Sequence, residues 1–351
     1  MLTKDFYFDL PEELIAQQPS EKRGHDRLML LDRTTGRTDH FMMENLPELV
    51  SKDTLMVFNN SRVRRSRVYS IKESTGRECE FLFVNPIQNK QVEYPSIWKT
   101  MVKNAKKQKA GCTYVFPDGT KGTIIENQQD AGTEFRTLAL DKTTDEDWFE
   151  VNGHIPLPPY IHRKDTDEDG LRYQNVYATE TGSAACPTAG LHFTQEMLDK
   201  LDSMGIQKAW VTLHVGLGTF LPVRTQTIEN HKMHSETYSI PQETSFLVTE
   251  AKHSGRPILA VGTTSVRTLE SAWNQDTQFL ATGIGSTNIF IYPGYKFKVV
   301  DKMFTNFHTP ESTLVMLVSA FAGQKNIMNA YQKAIESRYK FFSYGDAMLI
   351  R

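Results

Sequence analysis

Between Val63 and Leu140 the chain reads as β-structure and little else. The short runs CEFLFVN, SIWKTMV, TYVFP, GTIIE and FRTLAL are rich in β-branched and aromatic residues, and turn signals such as TG, NK and PDG separate them. That spacing predicts a small antiparallel barrel. TDEDWFEVNG then predicts a short helix with a T-x-x-D capping pattern at Thr144 and Asp147 and a stop at Gly153. IPLPPYI follows, held extended by its prolines, and the acidic RKDTDEDG after it reads as a solvated loop.

The flanking sequence has a different period. KAWVTLHVGLGTFLPV puts Ala209, Val211, Leu213 and Val215 on one face of a strand that runs into Gly216 and Gly218. PILAVGTTSVRTLESAW reads as a buried strand, a turn, and a helix with Val266, Leu269 and Trp273 on its apolar side. TNFHTPESTLVMLVSAFAG has Thr309 as a helix N-cap, Pro310 at the first helical position and Gly323 past the end. Strands alternating with helices imply an α/β core. The expected architecture is therefore an α/β domain, residues 1–61 and 154–351, with a small antiparallel β-barrel domain, residues 62–153, inserted near its N-terminus.

A chain of 351 residues has room for two cores. Cys79, Cys112 and Cys186 lie far apart, so neither a disulfide framework nor a thiolate zinc site is indicated, and a reducing cytoplasm fits. The first twenty residues mix charge and proline without an apolar centre, and LVMLVSAFAG is too short to span a bilayer, so a soluble, monomeric protein with no membrane partner is expected. The net charge is −2, yet Arg62 to Lys109 holds twelve Lys or Arg against four Glu. That local excess includes Arg62, Arg64, Arg65 and Arg67 at one end and Lys103, Lys106, Lys107 and Lys109 at the other. Such clusters bind phosphate backbones when they are not merely a solvated face.

Polar chemistry gathers where strands or loops turn into helices. PTAGLHFT carries Thr188, Gly190 and His192 up to Thr194, an N-cap followed by Glu196 in the first turn and Leu198, Leu201 and Met204 on one face. Helix N-termini offer unpaired N–H groups and a partial positive charge, so His192 stands where a developing charge would be stabilised. Thr263, Thr264, Ser265 and Arg267 collect at another helix start and form a receptor for a carboxylate or phosphate. His214 precedes the Gly216 and Gly218 loop. His231, His234 and Glu236 lie in HKMHSE, whose spacing does not match H-E-x-x-H, so no metal is expected there and the imidazole beside a carboxylate reads as a tuned acid or base. Asn306 and His308 precede the last apolar helix, and Tyr344 and Asp346 flank a glycine near the C-terminus.

These motifs together resemble one family. YQNVYATETGSAACPTAGLHFT, LHVGLGTFLPV, MHSE, VGTTSVRTLES, FIYPGY, TNFHTPESTLVMLVSAFAG and FFSYGDAML closely resemble the S-adenosylmethionine:tRNA ribosyltransferase-isomerases of queuosine biosynthesis. DFYFDLPEELIAQQP, FNNSRV and GHIPLPPYI match as well, so the resemblance covers essentially the whole chain. The chain departs from the pattern at Arg64, Arg65 and Ser66, where an apolar residue, proline and alanine are usual, and at Ala184, Cys186 and Thr309, where valine, alanine and leucine are usual.

The resemblance implies a reaction in which S-adenosylmethionine gives up its ribosyl group. The acceptor is the aminomethyl group of 7-aminomethyl-7-deazaguanine at the tRNA wobble position, and the product is epoxyqueuosine, with adenine and methionine released. S-adenosylmethionine is a substrate, so no cofactor is implied. A base must take a hydrogen from the ribose C5′ beside the sulfonium, and an acid must help adenine leave. His192, His214, His234 and Glu236 are the candidates, His192 paired with His214 or Glu236 first among them in a shared cleft. Thr188, Gly190, Gly216, Gly218, the Thr263 to Arg267 turn, Asn306, His308, Tyr344 and Asp346 are the candidate substrate contacts, with the turn cradling the methionine carboxylate. Two other classes compete: a metal hydrolase using His231, His234 and Glu236, and a non-catalytic RNA-binding module. The second would leave the several polar junctions unexplained.

Overall fold

The computed structural model describes residues 1–87, 94–127, 130, 133–216, 223 and 225–351. They divide into one unit of Met1–Arg62, Pro158–Arg163 and Leu171–Arg351, and a second of Val63–Leu157 and Lys164–Gly170.

The larger unit is built on a nine-stranded sheet in the order Gly283–Thr287, Glu236–Ile240, Gln207–Leu213, Leu55–Asn59, Ile258–Val261, Lys302–Asn306, Ala347–Ile350, Arg27–Leu31, Thr38–Met42. Gln207–Leu213, Leu55–Asn59, Ile258–Val261 and Lys302–Asn306 run parallel to one another. Leu55–Asn59 and Ile258–Val261 are buried along their whole length, which is why they read as unbroken apolar runs. Alternate residues feed two cores. Leu55, Val57, Ile258 and Ala260 pack with Val266, Leu269 and Met316 on one face. Met56, Phe58, Leu259 and Val261 pack with Leu198, Leu201 and Phe304 on the other. Because the four strands are parallel, their C-terminal residues, Asn59, Leu213, Val261 and Asn306, end along one edge, where α/β sheets place their ligands.

The smaller unit is a closed antiparallel barrel of six strands, in the order Phe135–Leu140, Ser96–Val102, Glu78–Pro86, Arg67–Lys72, Thr113–Val115, Lys121–Ile125. The inserted barrel expected from the five β-rich runs is present. Its centre is aromatic: Phe81, Phe83, Trp98, Tyr114 and Phe116 meet Trp148 and Phe149 from the helix Glu146–Asn152.

Three local expectations are corrected. The N-cap of that helix is Asp145, which accepts from the Trp148 N–H at 3.0 Å, while the Thr144 hydroxyl accepts from Trp98 Nε1. The carboxylate displaces the hydroxyl as cap because Thr144 is drawn into the barrel. RKDTDEDG is not only loop, since Asp167–Arg172 is helical and Asp169 is buried, accepting from the Thr166 N–H and hydroxyl. The helix after Phe307 starts later than Pro310 implies. It spans Thr313–Ala322 with Ser312 as N-cap, because Glu311 takes a left-handed φ of 58° and the chain turns once more first. Gly323 does end it. Among the described residues no helix is long and apolar enough to cross a membrane.

Candidate active site

The strand Ile258–Val261 runs into Gly262, whose φ of +87° suits a residue without a side chain, and a Cβ there would also press on Ala189 at 3.3 Å. Its N–H donates to the Phe304 carbonyl of the neighbouring strand at 2.8 Å. The chain turns directly into the helix Thr263–Ala272, so the first-turn N–H groups stand at the strand ends with the helix dipole behind them. Thr263 and Thr264 line the cleft in front of that turn, and the buried Thr264 hydroxyl has no hydrogen-bond partner.

The cleft has a cavity volume of about 90 Å³. Its aromatic wall is Tyr160, Tyr173, Phe307 and Phe342, with Tyr160 and Phe342 ring centres 4.6 Å apart. Thr188, Asn306 and His308 supply polar groups. Burial pushes the His308 pKa down to about 3 and the Tyr160 phenol up to about 12, and it pushes the Cys186 thiol well up. These three groups are therefore neutral at neutral pH, and recognition by them rests on dipoles and ring faces.

Beneath the cleft lies a buried polar row. Asn306 Nδ2 donates to the Phe342 carbonyl at 3.1 Å and faces His192 Nε2 at 2.9 Å, and Thr188 Oγ1 donates to Asn306 Oδ1 at 3.0 Å. His192 Nδ1 meets Asp26 Oδ2 at 2.7 Å. Burial works to raise the Asp26 pKa, but His192 and the Ser20 hydroxyl more than offset it, and the carboxyl stays below its usual range. His192 itself is 2% exposed with both ring nitrogens engaged.

A second cleft, of about 20 Å³, is lined by His231, His234, Glu236 and Arg267 and shares Leu314 with the first. Arg267 Nη1 pairs with Glu236 Oε2, and both side chains are nearly out of solvent. The other carboxylate oxygen accepts from the Gly216 N–H at 2.9 Å. Arg267 Nε and Nη2 are buried without partners. Burial lowers the His231 pKa, and the neighbouring His234 adds to the effect.

The candidates thus fall into separate places. Thr188, Thr263, Thr264, Asn306 and His308 line the first cleft, and His234, Glu236 and Arg267 the second. Ser265 belongs to neither, because its hydroxyl donates back to the Val261 carbonyl at 2.8 Å. The anion receptor expected from Thr263 to Arg267 is divided accordingly: a helix sends residues three apart along one face but only one turn reaches the strand ends.

Among the described residues His192 and His214 meet different partners. His214 Nδ1 bonds Ser61 Oγ at 2.8 Å, over the strand end, whereas His192 sits under Asn306 and borders a smaller cleft with Asp26 and Tyr344. Asp346 accepts from the Arg27 and Lys340 N–H groups at 2.8 and 2.7 Å. Burial raises its pKa while those bonds pull the other way, so its observed work is to tie backbone. At Gly190 a Cβ would meet the Tyr177 hydroxyl at 2.1 Å, so packing explains that glycine. Gly218 lies outside the described residues. Asp26, Tyr160 and Tyr173 are not among the candidates the sequence offers, and Cys186 enters there only as a thiol and a departure from the family pattern. Nothing near Asp26 in the chain signals a partner 166 residues away. Among the described residues no three His, Cys, Asp or Glu side chains are grouped to hold a metal ion.

In the barrel unit the basic residues differ in availability. Arg64 pairs with Glu146 and lies over the Trp98 and Phe149 rings, Arg65 pairs with Glu150 at 3.2 Å, and Arg67 with Glu80 at 3.0 Å. Lys103, Lys106, Lys107 and Lys109 are exposed, as is Arg62 at the edge of the larger unit.

A family model described as "Queuosine biosynthesis protein" matches residues 3–350. A protein of Treponema denticola named S-adenosylmethionine:tRNA ribosyltransferase-isomerase is 58% identical over 350 residues, covering 100% of both chains. One of that name from Clostridioides difficile is 47% identical with the same coverage. The crystal structure of S-adenosylmethionine tRNA ribosyltransferase from Thermotoga maritima is 35% identical, covers 99% of this chain and 100% of its own, and superposes with a TM-score of 0.55. With its length matched from end to end, this chain belongs to the queuosine biosynthesis protein family.

Proposed function

We propose that this chain transfers and isomerises the ribosyl group of S-adenosylmethionine onto 7-aminomethyl-7-deazaguanine at the tRNA wobble position, yielding epoxyqueuosine in tRNA and releasing adenine and methionine. The observation that carries this reading is full-length identity of 45–58% to proteins of that name. The chemistry of the first cleft supports it. An aromatic wall suits a purine face, and the first turn of Thr263–Ala272 suits a carboxylate. S-adenosylmethionine is consumed and no resident cofactor takes part. The three free cysteines fit a reducing cytoplasm.

The two halves of the work divide between the larger α/β unit, as catalytic domain, and the inserted barrel unit. Proton transfer falls to His214 and His234, the latter exposed at the second cleft beside Glu236. His192 acts through its neighbours.

Incubation with S-adenosylmethionine and tRNA bearing the aminomethyl deazaguanine is expected to release adenine only when both are present, read by chromatography. Methyl transfer to the tRNA instead, or adenine release independent of tRNA, overturns the reading.

The barrel supplies tRNA affinity through its exposed lysines rather than its paired arginines. Changing Lys103, Lys106, Lys107 and Lys109 to Glu is expected to weaken tRNA binding and to flatten the slope of log K against log salt by about 3, since each phosphate contact contributes about 0.7–0.9. Affinity for S-adenosylmethionine stays as it is. Identical salt titrations for wild type and variant would remove these lysines from the interface.

A further inference from the structure

The Phe342 carbonyl can only accept, so the atom of Asn306 that faces it is the amide nitrogen. The second hydrogen on that nitrogen points at His192 Nε2, which must then be the bare, accepting nitrogen of the ring. The ring proton sits on Nδ1 and is given to the Asp26 carboxylate. On its other side Asn306 presents Oδ1, and the hydroxyl proton of Thr188 is spent on it. What Thr188 turns to the cleft is a lone pair. One carbonyl thus sets the direction of every hydrogen bond in the row.

We propose that Thr188 recognises a nitrogen that carries hydrogen, an amino or ammonium group of the ligand, because the buried row Asp26, His192, Asn306 and Thr188 is hydrogen-bonded with a single polarity. Gly262 packs against Ala189, the residue after Thr188, so this acceptor stands close to the donor N–H groups of the Thr263–Ala272 helix. An acceptor beside a set of donors fits either end of S-adenosylmethionine: the adenine edge, with its amino group next to a ring nitrogen, or the amino acid end, with ammonium next to carboxylate. His192 is then a positioning residue, whose task is to keep the Asn306 amide from turning over. This rests on the assignment of S-adenosylmethionine to the first cleft.

The test is a set of equilibrium titrations with S-adenosylmethionine, with an analogue carrying hypoxanthine in place of adenine, and with an analogue lacking the α-amino group. Thr188→Val is expected to raise the Kd for S-adenosylmethionine about tenfold, the worth of one hydrogen bond to an amino or ammonium group. Thr188→Ser should restore most of it. One of the two analogues, the one missing the nitrogen that Thr188 meets, should bind wild type and Thr188→Val equally. His192→Leu, which lets the amide turn, should copy the Thr188→Val loss, and His192→Gln, which keeps an acceptor near the Nε2 position, should recover both affinity and turnover to within a few-fold. A Thr188→Val chain that binds S-adenosylmethionine like wild type overturns the inference, as does a penalty that persists with both analogues. Loss of about 10²–10⁴-fold in turnover for His192→Gln with unchanged affinity would make His192 an acid or base instead. A wild-type chain that binds no S-adenosylmethionine at all overturns the ligand assignment itself.

Discussion

Below pH 6.5 the folded chain is expected to lose about 1.4 kcal/mol of stability per pH unit through His308, down to about pH 3. The cause is burial: the ring lies in the wall of the first cleft with Nε2 on the Thr305 hydroxyl, and taking a proton there means burying a cation. In the unfolded chain the same ring accepts a proton near pH 6.5. Between those two values the unfolded state binds the proton and the native state does not, so stability rises with pH through the window and is complete above it. Across the window the loss is about 3–5 kcal/mol. Denaturant unfolding of wild type and of His308→Gln, from pH 7.5 down to 4.5, isolates it, because every other titrating group is common to both. The wild-type curve should fall away from the variant's below pH 6. Parallel curves would mean that His308 is protonated in the native state. A ring that stays neutral at neutral pH has no imidazolium proton to lend to departing adenine, so His308 serves the cleft as a neutral hydrogen-bonding group.

How much of this was legible in the sequence depended on the range of the interaction. The barrel strands were, because a β-rich run bounded by turn residues is a local signal, and SIWKTMV and FRTLAL coincide with the strands Ser96–Val102 and Phe135–Leu140. The Thr194 cap was too, its hydroxyl accepting from the Met197 N–H at 3.1 Å. Side-chain direction was not. Thr263, Thr264, Ser265 and Arg267 are neighbours in the chain, but successive helical residues point about 100° apart, so one stretch serves a cleft, a core and a buried ion pair. Arg64, Arg65 and Arg67 of NNSRVRRSRV depend on long-range partners. Their partners Glu146, Glu150 and Glu80 come from elsewhere in the barrel, and no local count of charge reveals that the charges are already met. The family resemblance identified the motifs correctly without saying which side chain of each faces the ligand.

The other large effect is expected at Arg267. Replacing it with methionine keeps the length and apolar stem of the side chain and removes only the cation. Glu236 is then left with a buried oxygen that no longer has its charged partner, and a single N–H, from Gly216, on the other. Breaking a buried pair from one side costs about 3–5 kcal/mol, because the remaining charge keeps its desolvation penalty and loses its compensation. Removing both charges, with Arg267→Met and Glu236→Gln together, should return most of that, since the neutral amide has far less to lose on burial. Denaturant midpoints of wild type and both variants at pH 7.5 are the measurement. If the single variant is within 1 kcal/mol of wild type at pH 7.5, or the double variant is no better than the single, then the pair does not hold the second cleft together and water reaches Glu236 in the folded chain.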